Sequence, residues 1–400
     1  MFERNLNDKT IDRDWQLALA AVGLMIVGAL FIFSASAAGG GNPGPWHKQI
    51  YVRQIVFYAV GITAALVVCS VDYNMLARWS TVIYWAAILG LVAVMIVGVG
   101  RYGAKRWINL GFNFNLQPSE FAKIGFILML ANYLSRPMEE LRQGNVFWTA
   151  VGLTALPFAL IAIEPDLGSS VVLAPVSLVM MFVAGVPQRF LVRLAGVGLL
   201  FAALVVAGIL FLPPQYVPFI KSYQRDRVLT YFGRSSLPQD ASPEARKEHI
   251  RQVGKKSYNV EQALISVGSG GLTGKGWRQG TQYSLGFLPQ AGAHNDFIFS
   301  VIAEEEGFIG SVVILTLYTV LLFSGIKIAS QARDRLGKLM AIGVVTLLFS
   351  HVFINIGMNI RLMPVTGIPL PLLSYGGSSV VCSLIAIGIL HNVHIYRRSY

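Results

Sequence analysis

The sequence predicts an all-α polytopic membrane protein of about ten transmembrane helices. Both termini are expected to be cytoplasmic, with one large extracytoplasmic loop between helices 7 and 8. Three observations predict this. Of the 400 residues, 54% are hydrophobic and only 13% are charged, about half the charged share of roughly 25% in soluble domains. The apolar residues gather into runs of bilayer-spanning length, and lipid must cover what no aqueous core can hide. Lys and Arg, finally, fall unevenly between the two sides of those runs. The net charge of +12 does not indicate nucleic acid, because the cations flank apolar runs instead of forming a stripe.

The runs lie at about 15–34, 54–71, 80–99, 120–134, 147–163, 169–185, 190–212, 307–327, 339–357 and 378–395, in one membrane domain covering 1–400. Most approach the roughly 17–25 residues a spanning helix needs, and the fourth is the shortest. The first runs into Ser34-Ala35-Ser36-Ala37, which resembles a signal-peptidase site. Its apolar length of about 20 residues exceeds the 7–15 of a signal core, so it is expected to be a retained span. With the N-terminus inside, 14 of the 32 basic residues are cytoplasmic and seven lie in short outer segments. The remaining 11 sit in the outer loop at about 213–295, which is too long to weigh in the positive-inside rule. Cys69 and Cys382 belong to apolar runs, have no metal-ligand spacing, and read as small buried hydrophobes.

Between the third and fourth spans, Arg101-Tyr-Gly-Ala-Lys105-Arg106 places three cations outside, against the usual bias. Together with the basic loop 213–295, this makes the outer face the place where something anionic is handled. Gln117-Pro118-Ser119-Glu120-Phe-Ala-Lys123 opens the fourth span. Pro118 suits a first helical turn, and Glu120 and Lys123, three apart, share a helix face. They form either an interfacial ion pair or, with Lys123 and Arg106 lining a cavity, a seat for a phosphorylated lipid. Ionisable groups at membrane depth favour function because burying each costs about 2.5–3.5 kcal/mol or more.

Glu164-Pro165-Asp166-Leu-Gly168 turns sharply from the fifth span into the sixth, with acids that fit helix caps. Gly274-Lys275-Gly276 faintly resembles a phosphate loop but lacks its first Gly, replaced by Ser269, and its closing Ser or Thr. At the end of the long loop, Asp296 follows His294 and Asn295 and precedes an apolar stretch. A carboxylate in that setting is suited to a raised pKa, and its alternative role is to cap the eighth helix. His294 fits a hydrogen-bond partner better than a ligand; no metal-ligand spacing or cofactor motif is evident, and dependence on a divalent cation is left open by the residues. The segment from Arg361 to Ser379 carries Pro364, Pro369 and Pro371, which forbid a continuous helix and predict a broken or re-entrant stretch. Gly376, Gly377 and Ser378 then open the tenth helix, whose free N–H groups suit either an anion or a plain cap.

Taken in order, five motifs resemble the shape, elongation, division and sporulation family of bacterial cell-wall glycosyltransferases. They are Gly103-Ala-Lys-Arg106-Trp107-Ile, Gln117-Pro-Ser-Glu120-x-x-Lys123, Pro165-Asp166-Leu-Gly168, Asp296-Phe-Ile-Phe and Pro369-Leu-Pro-x-x-Ser374-Tyr-Gly-Gly-Ser378. The resemblance covers nearly the whole chain. Tyr223-Gln-Arg225-Asp-Arg227-Val-Leu-Thr and Gly274-Lys-Gly-Trp277-Arg-Gln-Gly-Thr281 are similar to the elongation branch more than the division branch. Before Asp296 the family usually shows Pro-Glu-x-His-Thr-Asp, whereas here Gln290 replaces the Glu, extra residues precede His294, and Asn295 replaces the Thr.

The resemblance implies an enzyme of the bacterial cytoplasmic membrane that polymerises lipid II into β-1,4 glycan on the outer face. The donor would be a glycan on polyprenyl pyrophosphate, and inversion at its anomeric carbon would need one general base, for which Asp296 is the candidate. Positioned bases contribute about 10²–10⁴-fold. The substrate and pyrophosphate would be held by Arg106, Lys123, Glu120, Arg225, Arg227, Ser374 and Ser378. Pro118, Asp166, Gly168, His294, Gly376 and Gly377 would shape the cavity. Membrane lipids and a class B penicillin-binding transpeptidase are the implied partners. Two other readings use the same spans and cations: a flippase carrying lipid II across the bilayer, and a non-catalytic scaffold of the elongation machinery.

Overall fold

A computed structural model describes residues 14–37, 49–101, 104–109, 115–164, 166–212, 225, 228–229, 231–232, 259–285, 287–288 and 290–397. Ten long helices dominate these residues: α1 (Trp15–Ala37), α2 (Ile50–Ser70), α3 (Tyr73–Val97), α4 (Pro118–Leu134), α5 (Gly144–Ile163), α6 (Leu167–Ala184), α7 (Gln188–Phe211), α8 (Ile298–Ser330), α9 (Arg335–Asn359) and α10 (Gly377–Tyr396). Each forms where the sequence is apolar and ends where a side chain or turn residue takes over the orphaned backbone groups. Asp72, Asp166 and Asp334 accept from the first-turn N–H groups of α3, α6 and α9. Gly185, at φ 93°, closes α6 in the left-handed region.

Nine of these helices are long and apolar enough to cross a membrane. The exception is α4, with 17 residues, which packs against α3, α5, α6, α9 and α10 and so spends its surface on protein instead of lipid. The described residues nearest the two chain ends lie at one end of the bundle. Ser324 of α8 donates to Asp14, and Arg397 bonds Gln331 just past the same helix. Arg335 reaches the carbonyls of Arg136 and Ala184 at that end too.

Two elements depart from the expected architecture. The chain is not wholly helical, because three short antiparallel strands sit between α3 and α4. They are β1 (Val99–Arg101), β2 (Ala104–Asn109) and β3 (Asn115–Leu116), in the order β1-β2-β3, with Ile108 opposite Leu116. The eighth helix also starts well before position 307. It begins at Ile298 and breaks at Gly307, whose φ of 66° and ψ of −155° are not helical. The run Glu304-Glu305-Glu306 hid that first half, because such charge is unexpected inside a span. Here two of the acids are partnered: Glu304 with Lys275 at 2.6 Å, and Glu305 with the Ser34 hydroxyl of α1.

The break itself is filled by the glycine-rich loop 270–276. Phe308 N–H donates to Gly271 O at 2.9 Å and Ile309 N–H to Leu272 O at 3.1 Å, while Lys275 and Gly276 N–H donate back to Glu304 O and Glu305 O. What resembled a phosphate loop is therefore a backbone clasp, with its lysine bound to a glutamate.

The irregular stretch 361–376 agrees with the predicted broken segment. Leu370, Leu372, Leu373 and Ser374 are buried in it, so its free carbonyls need protein donors. Tyr58 of α2 donates to Leu372 O at 2.6 Å, Tyr318 of α8 to Pro371 O at 2.5 Å, and Gln54 to Ser374 O at 3.2 Å.

Candidate functional site

At the bundle end away from Asp14 and Arg397, the broken segment meets the starts of α4, α6, α8 and α10. Asp296 lies two residues before α8, and the residue flanking that helix is Phe297, with no side-chain cap. Asp296 is therefore not the residue at the N-cap position. It is half-buried, and its Oδ2 lies 3.6 Å from the point where a Cβ on Gly367 would project. Gly367 takes φ 76°, which lets the chain turn past the carboxylate. The Asp296 backbone oxygen accepts from Asn355 and Asn359, each at 3.1 Å.

The same turn leads to a second group. A Cβ on Gly168 would lie 2.9 Å from Thr366 O and 2.7 Å from Ile368, so only glycine lets α6 approach this closely. Two residues earlier, Asp166 accepts from Gln117 Nε2 at 2.9 Å and pairs with Arg106 at 3.6 Å. One run of contacts thus joins Asp296, Gly367, Thr366, Gly168, Asp166 and Arg106. Arg106 is carried by β2 and is partly exposed, the Asp166 carboxylate almost wholly buried.

Glu164, in the turn between α5 and α6, completes the group. Both its oxygens are buried with no hydrogen-bond partner among the described residues. Burial, with the neighbouring Asp166 charge, pushes its carboxyl up to about 8, against the pull of Arg106. This shift favours its protonated form at neutral pH.

Lys123 is enclosed by protein. Its ammonium donates to Glu120 Oε1 at 2.7 Å and to His351 Nε2 at 3.0 Å, so it faces these two groups instead of open space. Pro118 occupies the first turn of α4, as predicted. Ser374 Oγ donates to Asn295 O at 2.6 Å and accepts from Leu370 N–H. Ser378 Oγ donates to Asn115 O and accepts from Gln117 N–H at 3.0 Å. Both hydroxyls are buried and engaged with backbone, so they lock the segment to its neighbours.

Gly376 and Gly377 open α10, with Gly376 N–H donating to Gln54 Oε1. His294 stacks edge-on with Tyr375, whose N–H donates to His294 O at 2.8 Å. Arg225 donates to Leu212 O at the end of α7. Arg227 and the side chain of Gln290 lie outside the described residues.

Sequence reasoning missed three groups here. His351, Asn355 and Asn359 are spaced four apart in an apolar run and form one buried face of α9. That spacing was the available signal. Glu164 was seen only as a cap. The third, an apolar groove of about 530 Å³, lies among α3, α4, α10 and the hairpin, lined by Ile83, Gly90, Ile108, Pro118, Phe121 and Ile389. It begins two residues from Arg106 on β2 and runs along the helices.

Chemically, this end of the bundle offers a carboxylate, a partly exposed guanidinium and an apolar track next to it. The family model FTSW_RODA_SPOVE, described as cell cycle protein, matches residues 15–399. The peptidoglycan glycosyltransferase MrdB of Escherichia coli K12 is 36% identical over 400 residues, with 98% of each chain covered. The peptidoglycan glycosyltransferase RodA of Treponema pallidum is 34% identical, covering 96% of this chain and 98% of that one. A chain in a solved structure described as "Structural coordination of polymerization and crosslinking by a peptidoglycan synthase complex" superposes with a TM-score of 0.73 at 29% identity, over 97% of this chain and 99% of that one.

Proposed function

The chain belongs to the FtsW, RodA and SpoVE family of cell cycle proteins and is a RodA-like peptidoglycan glycosyltransferase, and from that premise we propose how it works. It polymerises lipid II into β-1,4 glycan at the outer face of the cytoplasmic membrane, with Asp296 as general base. The observation that carries this is the run of contacts from the Asp296 carboxylate through Gly367 and Gly168 to the Asp166–Arg106 pair. It supports a reading in which a proton acceptor and a cation act from the same run of residues.

The acceptor's sugar 4-hydroxyl attacks the donor's anomeric carbon and loses its proton to Asp296. The bond between that carbon and the pyrophosphate oxygen breaks in the same displacement, inverting the centre. Negative charge develops on the departing diphosphate, and the partly exposed guanidinium of Arg106 is the cation assigned to meet it. Asp166 holds the guanidinium in place and is itself fixed by Gln117. Because Asp166 already shares that charge, neutral Glu164 keeps the pocket from becoming repulsive to an anion. Lys123, paired with Glu120 and His351, fixes the start of α4 beneath the hairpin. The groove of about 530 Å³ takes the polyprenyl chain, held there by close packing, since the tail leaves lipid and not water. We infer a crosslinking partner of the class B penicillin-binding transpeptidase type.

The test is polymerisation of lipid II by purified full-length protein, read as a glycan ladder. Asp296→Asn is expected to fold normally and give no polymer, a loss of at least about 10²-fold. Polymer at the wild-type rate from that variant would overturn the base assignment, and lipid translocation without any polymer from the wild type would favour a flippase.

A further inference from the structure

Two asparagines of α9 converge on one carbonyl. Asn355 Nδ2 donates to Asp296 O at 3.1 Å and to Ile368 O at 2.8 Å. Asn359 Nδ2, one turn further along, donates to the same Asp296 oxygen at 3.1 Å and to Asn355 O at 2.8 Å. The atoms facing these carbonyls must be amide nitrogens, because a carbonyl oxygen accepts and cannot donate. Ser300, in the first turn of α8, donates to Asn359 Oδ1 at 2.6 Å and braces that amide from behind. Both asparagines are fully buried.

A buried primary amide is costly in an apolar helix unless it is bonded, and irregular backbone needs donors wherever it is enclosed. Those needs explain why some donor faces this segment. They do not explain why two amides choose one carbonyl, that of Asp296, while Ile368 is gripped by one of the same two. Ile368 adjoins Gly367, the residue the Asp296 carboxylate faces. One side chain therefore holds both the residue bearing the carboxylate and the turn opposite it.

We propose that Asn355 and Asn359 are positioning residues that set the Asp296 carboxylate against the Gly367 turn, using the rigid α9 helix as the ruler. The inference rests on the reading of Asp296 as the base. Neither asparagine touches substrate. Their contribution is geometric, and a misplacement of about 1 Å at a reacting group can cost about 10²-fold in rate.

The experiment measures lipid II polymerisation and thermal stability of the full-length protein for Asn355→Ala, Asn359→Ala, Asn359→Asp, Tyr318→Phe and Asp296→Asn. Either alanine variant should lower kcat by about 10–100-fold with KM within about twofold. Tyr318→Phe, which frees Pro371 O in the same segment without touching Asp296, should keep kcat within about twofold.

Asn359→Asp preserves shape and supplies a readout that lost folding would not mimic. Ionised, the new carboxylate repels the Asp296 carbonyl; protonated, it donates again. Its activity relative to wild type should therefore rise as the pH falls. A wild-type kcat in either alanine variant, or a flat activity ratio for Asn359→Asp, overturns the proposal. Failure of the underlying reading looks different: Asp296→Asn would then be active whatever the asparagine variants do.

Discussion

Glu164 and Asp166 stand two residues apart in the same turn and have opposite chemistry. Asp166 accepts from Gln117, from Ser119 and from the Ser169 N–H, and lies beside Arg106. Glu164 has no such partner among the described residues, and burial with its charged neighbour holds it protonated up to about 8. The sign for stability follows. A carboxyl whose pKa is raised in the folded state binds its proton more tightly there than in the unfolded chain. Folding is therefore relatively favoured below the unfolded value near 4.5, and that advantage is lost as pH rises through about 8. Glu164→Gln copies the neutral form without a titrating proton. Its melting temperature should match wild type near pH 5 and exceed it by roughly 5 °C at pH 8, on the scale of a few degrees per kcal/mol. A difference that does not change with pH would show that Glu164 is ionised throughout. From sequence, the two acids of this turn were indistinguishable, because their difference lies in which one reaches Gln117 and Arg106 from other elements.

At the scale of elements, most helix positions were legible in the sequence and the first half of α8 was not. Apolar runs marked the helices because a helix crossing lipid must be apolar throughout, although α3 and α8 begin seven and nine residues before their runs. The stretch 298–306 broke that rule with three glutamates, two of which find their partners in a loop about 30 residues upstream and in α1. The clasp also explains why glycine stands at both of its meeting points. A Cβ on Gly307 would lie 2.3 Å from Gly274 N, and one on Gly270 only 1.9 Å from Ala303 O. Gly307 has in addition a φ of 66°, which costs other residues about 1–3 kcal/mol. Gly307→Ala should therefore release loop 270–281, lowering the melting temperature and speeding protease cleavage between 259 and 285. Gly268→Ala, where a Cβ meets nothing within 4 Å, is the matched control and should leave both unchanged. Equal cleavage of the two variants would mean that the loop is not held by the break in α8.

For the whole molecule, what the sequence could not reveal is which cations remain available once the helices pack. Arg106 and Lys123 looked equivalent as outer-facing positive charges beside an apolar run. Packing separates them, enclosing Lys123 between α4 and α9 while β2 carries Arg106 to the rim. The strands that do so are too short to show an alternating pattern, and Ile108 and Leu116 of that sheet line the apolar groove. The proposed division, with the headgroup at Arg106 and the tail in the groove, predicts that tail recognition and catalysis are separable. Gly90 lines the groove, and a Cβ there would touch only Pro118, at 3.6 Å. Gly90→Leu should fold and melt as wild type while projecting three to four carbons into the track. Because the tail exchanges with lipid and not with water, the loss is one of packing: about ten carbon–carbon contacts at about 0.1–0.2 kcal/mol each predict a fall in kcat/KM of about tenfold for lipid II carrying a long polyprenyl chain. A short-chain analogue that never enters the groove should be spared, and the ladder made from it should match wild type in rate. Equal loss with both substrates would place the effect in the headgroup site, and no loss with either would mean that the lipid lies elsewhere on the bundle.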